Sequence, residues 1–222
     1  MSKKIYLVDM PRKSNYAEAA LIPAEYDYSR YVSCPKCGEQ VSGAYWKRPR
    51  EIVLTSRKTP DFLYTYTDNA PFLLSEKALQ IIIEAGLTGI KCAEKIDVSR
   101  FQRRSKRDVS PPTYYHIELE RSLITIDHKN SIISYGETNR KICPLCQQVS
   151  ATYDFFRSLS FHMDSFEGFD IFQIYELGDT VFLSQRFVDL CITHKLTNLH
   201  YSLAEKYGRW AAEYFLDGIE DV

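Results

Sequence analysis

The chain has 222 residues, of which 45% are hydrophobic and 26% charged, with a formal net charge of −1. This is the composition of a globular protein; it excludes a disordered or fibrous chain, and the length allows one large domain or two small ones, each with its own core. No apolar run reaches the roughly 20 residues of a membrane-spanning helix. The charge is uneven: residues 1–110 hold 19 basic and 13 acidic side chains, residues 111–222 hold 9 and 16. A nucleic-acid-binding domain is basic as a whole, so this split points to a charged partner surface, or else to a solvated face.

In chain order, MSKKIYLVDM lacks the apolar stretch of a secretory signal and reads as a first β-strand, with a cytoplasmic location expected. CPKCG follows at 34–38. DFLYTYT at 61–67 has strand composition, with a tight turn at Asp68-Asn69. FLLSEKALQIIIEAGLTGIK then reads as a short strand, an N-capping Ser75, an amphipathic helix closed by Gly86, and a turn into another strand. The basic stretch SRFQRRSKRDVSPP at 99–112 predicts a linker. TYYHIELE and SLITID predict strands joined at Arg121-Ser122, and a second knuckle, CPLC, occupies 143–146. FDIFQIYE at 169–176 predicts a strand, Gly178-Asp179 a turn, and VFLSQRFVDLCITHKLTNLH another strand–helix–strand passage with Ser184 as N-cap. A final helix is expected from about Arg209, with Trp210, Tyr214 and Phe215 facing inward.

A shift of 109 residues superimposes the two halves without a gap. Cys34, Pro35 and Cys37 fall on Cys143, Pro144 and Cys146; Asp61 on Asp170; Tyr66 on Tyr175; Leu74-Ser75 on Leu183-Ser184; Leu87-Thr88 on Leu196-Thr197. The expected fold class is therefore α+β, with internally duplicated strand–hairpin–helix units joined through a shared zinc-knuckle site. The expected division is 1–110, a first repeat with its knuckle and the basic linker, and 111–222, a second repeat with its knuckle and the C-terminal helix.

Six cysteines in a chain without an export signal point to metal or redox chemistry rather than three disulfides. A CxxC turn places two thiolates on one side of a tight loop; the proline presets the turn and Gly38 permits positive φ just beyond it. Structural zinc takes four ligands in a tetrahedron, and two knuckles supply four: Cys34, Cys37, Cys143 and Cys146. Four protein ligands leave no position for a reacting water, so such a zinc, one per chain, is structural. The rival reading is a thioredoxin-like redox pair, which needs a single CxxC opening a helix after a strand. Cys92 and Cys191 do not correspond under the shift and are expected in the core. The five histidines form no ligand pattern that selects one of them.

No phosphate-binding glycine loop, GxSxG elbow or HExxH motif is present. His116-Ile117-Glu118 resembles half of a zinc-deaminase signature, but that signature needs PCxxC and here proline lies inside the pair. A non-enzyme is expected. The cluster Arg100, Arg103, Arg104, Lys106 and Arg107, with Phe101 among them, supports an alternative reading, a zinc-stabilised nucleic-acid-binding protein.

CPKCG with a second CPxC about a hundred residues on resembles the double-CXXCG-motif proteins, associated with bacterial toxin–immunity loci. The passage FLLSEKALQIIIEAGLTGIK, echoed at VFLSQRFVDLCITHKLTNLH, is similar to a segment of other immunity proteins of polymorphic toxin systems. The second motif departs from the family in carrying Gln147 where the first has Gly38. The resemblance implies an immunity protein that neutralises a cognate toxin. A toxin that attacks nucleic acid carries a basic cleft, and an inhibitor gains association rate by presenting acids to it. Residues 151–222 hold 5 basic and 12 acidic side chains, and Asp164, Glu167, Glu176 and Asp179 are the expected contacts, with Glu220 and Asp221 as further acids at the terminus.

Overall fold

A computed structural model of the chain describes residues 4–9, 15–22, 25–27, 29, 31–42, 45–65, 72–102, 112–135, 143–146 and 153–206. Two sheets carry the architecture. The first has six strands, in the order Ala19–Ile22, Glu51–Leu54, Ile90–Phe101, Tyr114–Leu119, Phe72–Ser75, Phe62–Tyr64. The second has five, in the order Arg121–Ser122, Ile171–Ile174, Phe182–Ser184, Ile5–Asp9, His200–Leu203. The fold is sheet-rich α+β, with two α-helices among the described residues, α1 at Glu76–Glu84 and α2 at Gln185–Thr193.

The inner strands are buried at consecutive positions because both faces of each sheet are covered. Phe62, Tyr64, Phe72 and Leu74 point into a central core that they share with Ile171, Val181, Leu183 and the buried faces of both helices. The alternate residues Leu63 and Leu73 pack outward with Trp46, Ile52, Leu54, Ile96 and Tyr114. Phe172, Ile174 and Phe182 do the same in the second sheet, with Ile5, Leu7 and Leu159. The two sheets therefore share a middle core, and each keeps a second core behind it.

The helices begin and end 109 residues apart. Ser75 caps the N–H of Ala78 and Ser184 that of Phe187, each at 3.1 Å. Both helices bury one stripe, Ala78, Leu79 and Ile82 in α1 and Phe187, Val188 and Cys191 in α2. Each is followed by a left-handed residue, Gly86 at φ +60° and Lys195 at φ +51°. The hairpins in front of them share a register, Phe62 opposite Leu74 and Ile171 opposite Leu183.

The halves are tied by reciprocal contacts. Asp61 accepts hydrogen bonds from the Ser75 hydroxyl at 2.9 Å and from the Thr197 N–H and hydroxyl at 2.9 and 3.0 Å. Asp170 accepts from the Ser184 hydroxyl at 2.8 Å and from the Thr88 N–H and hydroxyl at 3.0 and 3.3 Å. Lys77 stands 3.5 Å from Asp61 and Arg186 3.1 Å from Asp170. Each aspartate thus holds its own helix cap and the turn after the other half's helix. Ile5–Asp9 lies between Phe182–Ser184 and His200–Leu203, while Tyr114–Leu119 lies between Phe72–Ser75 and Ile90–Phe101.

Gly89 sits at one of these crossings. Its φ is +110°, and a Cβ there would lie 1.7 Å from the Ile171 carbonyl oxygen. Gly89→Ala is therefore expected to cost about 2–3 kcal/mol, from backbone strain and the forced parting of the two halves; urea unfolding that shifts by under about 0.5 kcal/mol would contradict this packing.

Several local expectations are corrected. The linker expected over 99–112 begins later, because the strand runs to Phe101 and pairs in parallel with Glu51–Leu54; residues 103–111 lie outside the described part. Arg121-Ser122 is a short strand paired in parallel with Gln173-Ile174, where a turn was expected, and the strand in SLITID is only Thr125–Ile126. Cys92 lies in a strand but is exposed, since it occupies the solvent face. Tyr66, the turn at Asp68-Asn69, Gln147 and the C-terminal helix fall outside the described residues.

Candidate functional site

The first knuckle is a tight hairpin. Cys34 N–H donates to the Glu39 carbonyl at 2.8 Å, Gly38 N–H to the Cys34 carbonyl at 2.9 Å, and Val41 N–H to the Val32 carbonyl at 2.8 Å. Gly38 takes φ +79°, the positive value that the chain needs to turn back past Cys37. The second knuckle turns at Pro144, Leu145 and Cys146.

The fold brings the two knuckles face to face. Cys34 Sγ lies 3.8 Å from Cys143 Sγ and Cys37 Sγ 3.5 Å from Cys146 Sγ; all four sulfurs lie within 4.8 Å of one another. A tetrahedral ion with metal–sulfur bonds of about 2.3 Å needs sulfur–sulfur edges of roughly 3.8 Å, whereas a disulfide needs about 2.05 Å. No disulfide joins any of the four, and the first pair does not open a helix, as a redox CxxC would. The set can hold a metal ion. Cys34, Cys143 and Cys146 are buried among Val32, Val41, Leu145 and Tyr175, and Cys37 faces solvent.

The sulfurs are poised unequally. Burial opposes ionisation of Cys143, but the N–H groups of Cys146 and Leu145 and the neighbouring thiols Cys37 and Cys146 outweigh it and bring its pKa down to about 6. At Cys37 the Glu39 N–H favours the thiolate, yet burial and the sulfurs of Cys143 and Cys34 leave its pKa raised. The remaining cysteines stand apart: burial pushes Cys191 up to about 12, and burial with the nearby Glu118 raises Cys92.

The four acids expected at a partner surface divide into two pairs. Asp164 and Glu167 are exposed, on the turn of 3-10 helix Met163–Ser165 and just after it. Glu176 is 2% exposed; it accepts the Ile126 N–H at 3.1 Å and pairs with His128 Nε2. Asp179 is half-buried and pairs with Arg121 at 2.9 Å. Arg121 also donates to the carbonyls of Ile174 and Gly178, so these two acids brace the turn after Ile171–Ile174. Glu220 and Asp221 lie outside the described residues. Of the basic cluster, Arg100 and Phe101 are in the long strand, where Arg57 stacks over Phe101 at 5.3 Å; Arg103, Arg104, Lys106 and Arg107 are outside the described part.

One charged cluster had no visible signal in the sequence. Arg50, with a side chain only 1% exposed, binds Glu94 at 2.6 Å, and Arg48 reaches the same carboxylate at 2.6 Å. Arg50 also donates to the Trp46 carbonyl at 3.0 Å and lies 3.5 Å from His116 Nδ1. Burial first, and then the Arg50 charge, push the His116 pKa down to about 4, so it stays neutral. Glu94 and His116 meet only because their strands pair across that register. A cavity of about 140 Å³ opens between the sheets beside the first knuckle, lined by Val32, Tyr45, Glu118, Arg121, Gln173 and Tyr175.

The immunity protein family Imm11 matches the chain over residues 46–206. The chain belongs to this family. The matched span takes in both helices, both aspartate–threonine contacts and the second knuckle; it begins after Cys34 and Cys37, and the double-CXXCG motif is not part of what the match establishes. No curated protein matches the chain. Among the described residues no helix is long and apolar enough to cross a membrane.

Proposed function

We propose that this chain is a cytoplasmic immunity protein that binds and neutralises a cognate protein toxin, without catalysing a reaction of its own. The membership in Imm11 over residues 46–206 carries the reading. The toxin is taken to be one that attacks nucleic acid, met by the acidic second half through Asp164 and Glu167, the two of the four expected acids that are exposed. Expression of the chain together with the toxin encoded beside its gene should restore growth, and the two proteins should co-purify. Continued killing with no complex at micromolar concentrations would refute the reading.

One structural zinc is assigned to Cys34, Cys37, Cys143 and Cys146, on the strength of a sulfur set sized for a four-coordinate ion. Elemental analysis should give one zinc per chain, and X-ray absorption four sulfur neighbours; two metals, or a mixed nitrogen–sulfur shell, would reject the assignment. The site lies outside any reaction: its four thiolates fill the coordination sphere, and its part is to hold two distant segments together.

The chain is further read as two copies of one unit, 1–110 and 111–222, which have exchanged their first strands. Support comes from the shared helix bounds, the shared hairpin register and the paired Asp61–Thr197 and Asp170–Thr88 contacts, all 109 residues apart. A crystal structure in which 61–90 fails to superpose on 170–199 would reject it.

A further inference from the structure

Leu123 is a large aliphatic side chain 47% exposed, in a chain whose neighbouring residues Ser122 and Ile124 are 0% and 1% exposed. Its outward position is held from three sides. The Leu123 N–H donates to Glu167 Oε1 at 2.9 Å, and its carbonyl accepts from the Ser165 hydroxyl at 3.2 Å. The buried Ser122 hydroxyl donates to the other oxygen of the same Glu167 carboxylate and accepts the Ile124 N–H at 3.2 Å. With Ser122 and Ile124 committed to the interior, Leu123 between them, in the link from Arg121–Ser122 to Thr125–Ile126, is held facing outward.

The clamp and the charge come from the same segment. Glu167 and Asp164 are both exposed, and among the described residues neither pairs with a basic side chain; Glu167 contacts Leu123 directly, and Asp164 precedes Ser165, which does so too. Residues 151–222, which supply the clamp, carry 12 acidic and 5 basic side chains. A fixed apolar knob with an acidic rim is complementary to one kind of surface: an apolar socket edged by lysine and arginine. The fixed backbone removes much of the ordering cost that binding otherwise carries; a side chain seated in a partner's pocket can act as a binding hot spot once its neighbours exclude water, and charges at the rim steer association.

We propose that Leu123 is the apolar anchor of the toxin-docking face, with Ser165 and Glu167 as its positioning residues and Asp164 and Glu167 as its acidic rim. This deepens the immunity reading and rests on it. The occupant is the cognate toxin, through a socket with basic edges. Tyr31 and Ile132 are exposed too, at 47% and 59%, and Ile83 and Ile192 are each 61% exposed on α1 and α2, helices that carry both basic and acidic side chains: Lys77 and Arg186 as well as Glu84 and Asp189.

The test measures binding of a catalytically inactive form of the toxin whose killing the full chain suppresses, at two salt concentrations. Leu123→Asp should weaken binding by about 30-fold or more, and Ser165→Ala, which frees the leucine without touching its side chain, by several-fold. Ile83→Asp should bind as the wild type does. All three variants should keep their metal content and unfolding midpoint, since the substituted side chains are exposed. Asp164→Lys should slow association and flatten its salt dependence. If Leu123→Asp binds within threefold of wild type while wild type binds tightly, the anchor is elsewhere and the inference falls, leaving the immunity reading intact. Loss on Ile83→Asp instead would move the docking face to the helix pair and overturn it equally. A wild-type chain that binds no toxin overturns both.

Discussion

Cys143→Ser should abolish metal binding and lower the stability of the whole chain by roughly 4 kcal/mol or more, the largest effect expected of any single substitution here. Cys143 is buried and lies 3.8 Å from Cys34 across the join of the knuckles. Removing it leaves three thiolates in a site sized for four, with one coordination position open to water. The metal would close a chain loop of more than 100 residues between Cys37 and Cys143, so its loss also restores a long stretch of conformational freedom to the unfolded chain. The comparison that isolates the metal is Cys191→Ser, which alters a buried thiol far from the knuckles and should cost only about 1–2 kcal/mol with metal content unchanged. Cys92→Ser, at an exposed position, should change neither. Zinc analysis paired with urea unfolding separates the three. A Cys143→Ser protein that still binds one zinc with wild-type stability would show that the cluster is four ordinary thiols.

Asp61→Ala should cost roughly 3–5 kcal/mol, because it strips a buried carboxylate from a turn and a helix cap at once. Asp61 is 7% exposed, and its loss leaves the Thr197 N–H and the Thr197 and Ser75 hydroxyls without their acceptor. Asp61→Asn keeps the shape but turns one acceptor into a donor facing the Thr197 N–H, and should cost about half as much. Asp170→Ala removes the matching contacts to Thr88 and Ser184 and should have a comparable effect. The pH dependence gives a second reading. Burial raises the Asp61 pKa, but the Thr197 N–H, the Ser75 and Thr197 hydroxyls and Lys77 outweigh it and leave the pKa below the usual 3.8. A depressed carboxyl stabilises the fold above its unfolded pKa and loses that contribution as pH falls through the folded value. The wild-type-minus-variant difference should therefore be level at neutral pH and shrink below about pH 4. His116, neutral when folded down to about 4, removes stability from both proteins between about pH 6.5 and 4, and so cancels in the difference. A difference that is already falling at pH 6 would assign it to some other group.

Much of the local structure was legible because its causes are local. Ser75 and Ser184 cap helices because a hydroxyl at that position reaches an N–H two or three residues on, whatever surrounds it. Gly86 and Gly38 take positive φ because the turn demands it at that place. The CPxC spacing and the 109-residue shift were enough to nominate the four sulfurs that the fold gathers within 4.8 Å. Where a cause was non-local, the sequence misled or was silent. Cys92 looked like a core cysteine since its strand was recognisable while its solvent face was not. Glu176 looked like a surface acid beside a turn, but His128 and the Ile126 N–H, both some fifty residues away, hold it inside. The Arg50–Glu94–His116 cluster exists only because two strands pair in one register.

The sequence by itself determined the strand–helix units, their caps, the cysteine pairs and the class of the chain, since hydrophobic period, capping and turn chemistry act over a few residues. The tertiary structure alone decided which strand lies beside which. The placement of Ile5–Asp9 and Tyr114–Leu119 in their sheets, the crossed Asp61–Thr197 and Asp170–Thr88 contacts, and the outward clamp on Leu123 join residues 39 to 197 positions apart. Contacts at that separation are selected by what the whole chain can bury and satisfy together, and no short stretch of sequence carries that choice.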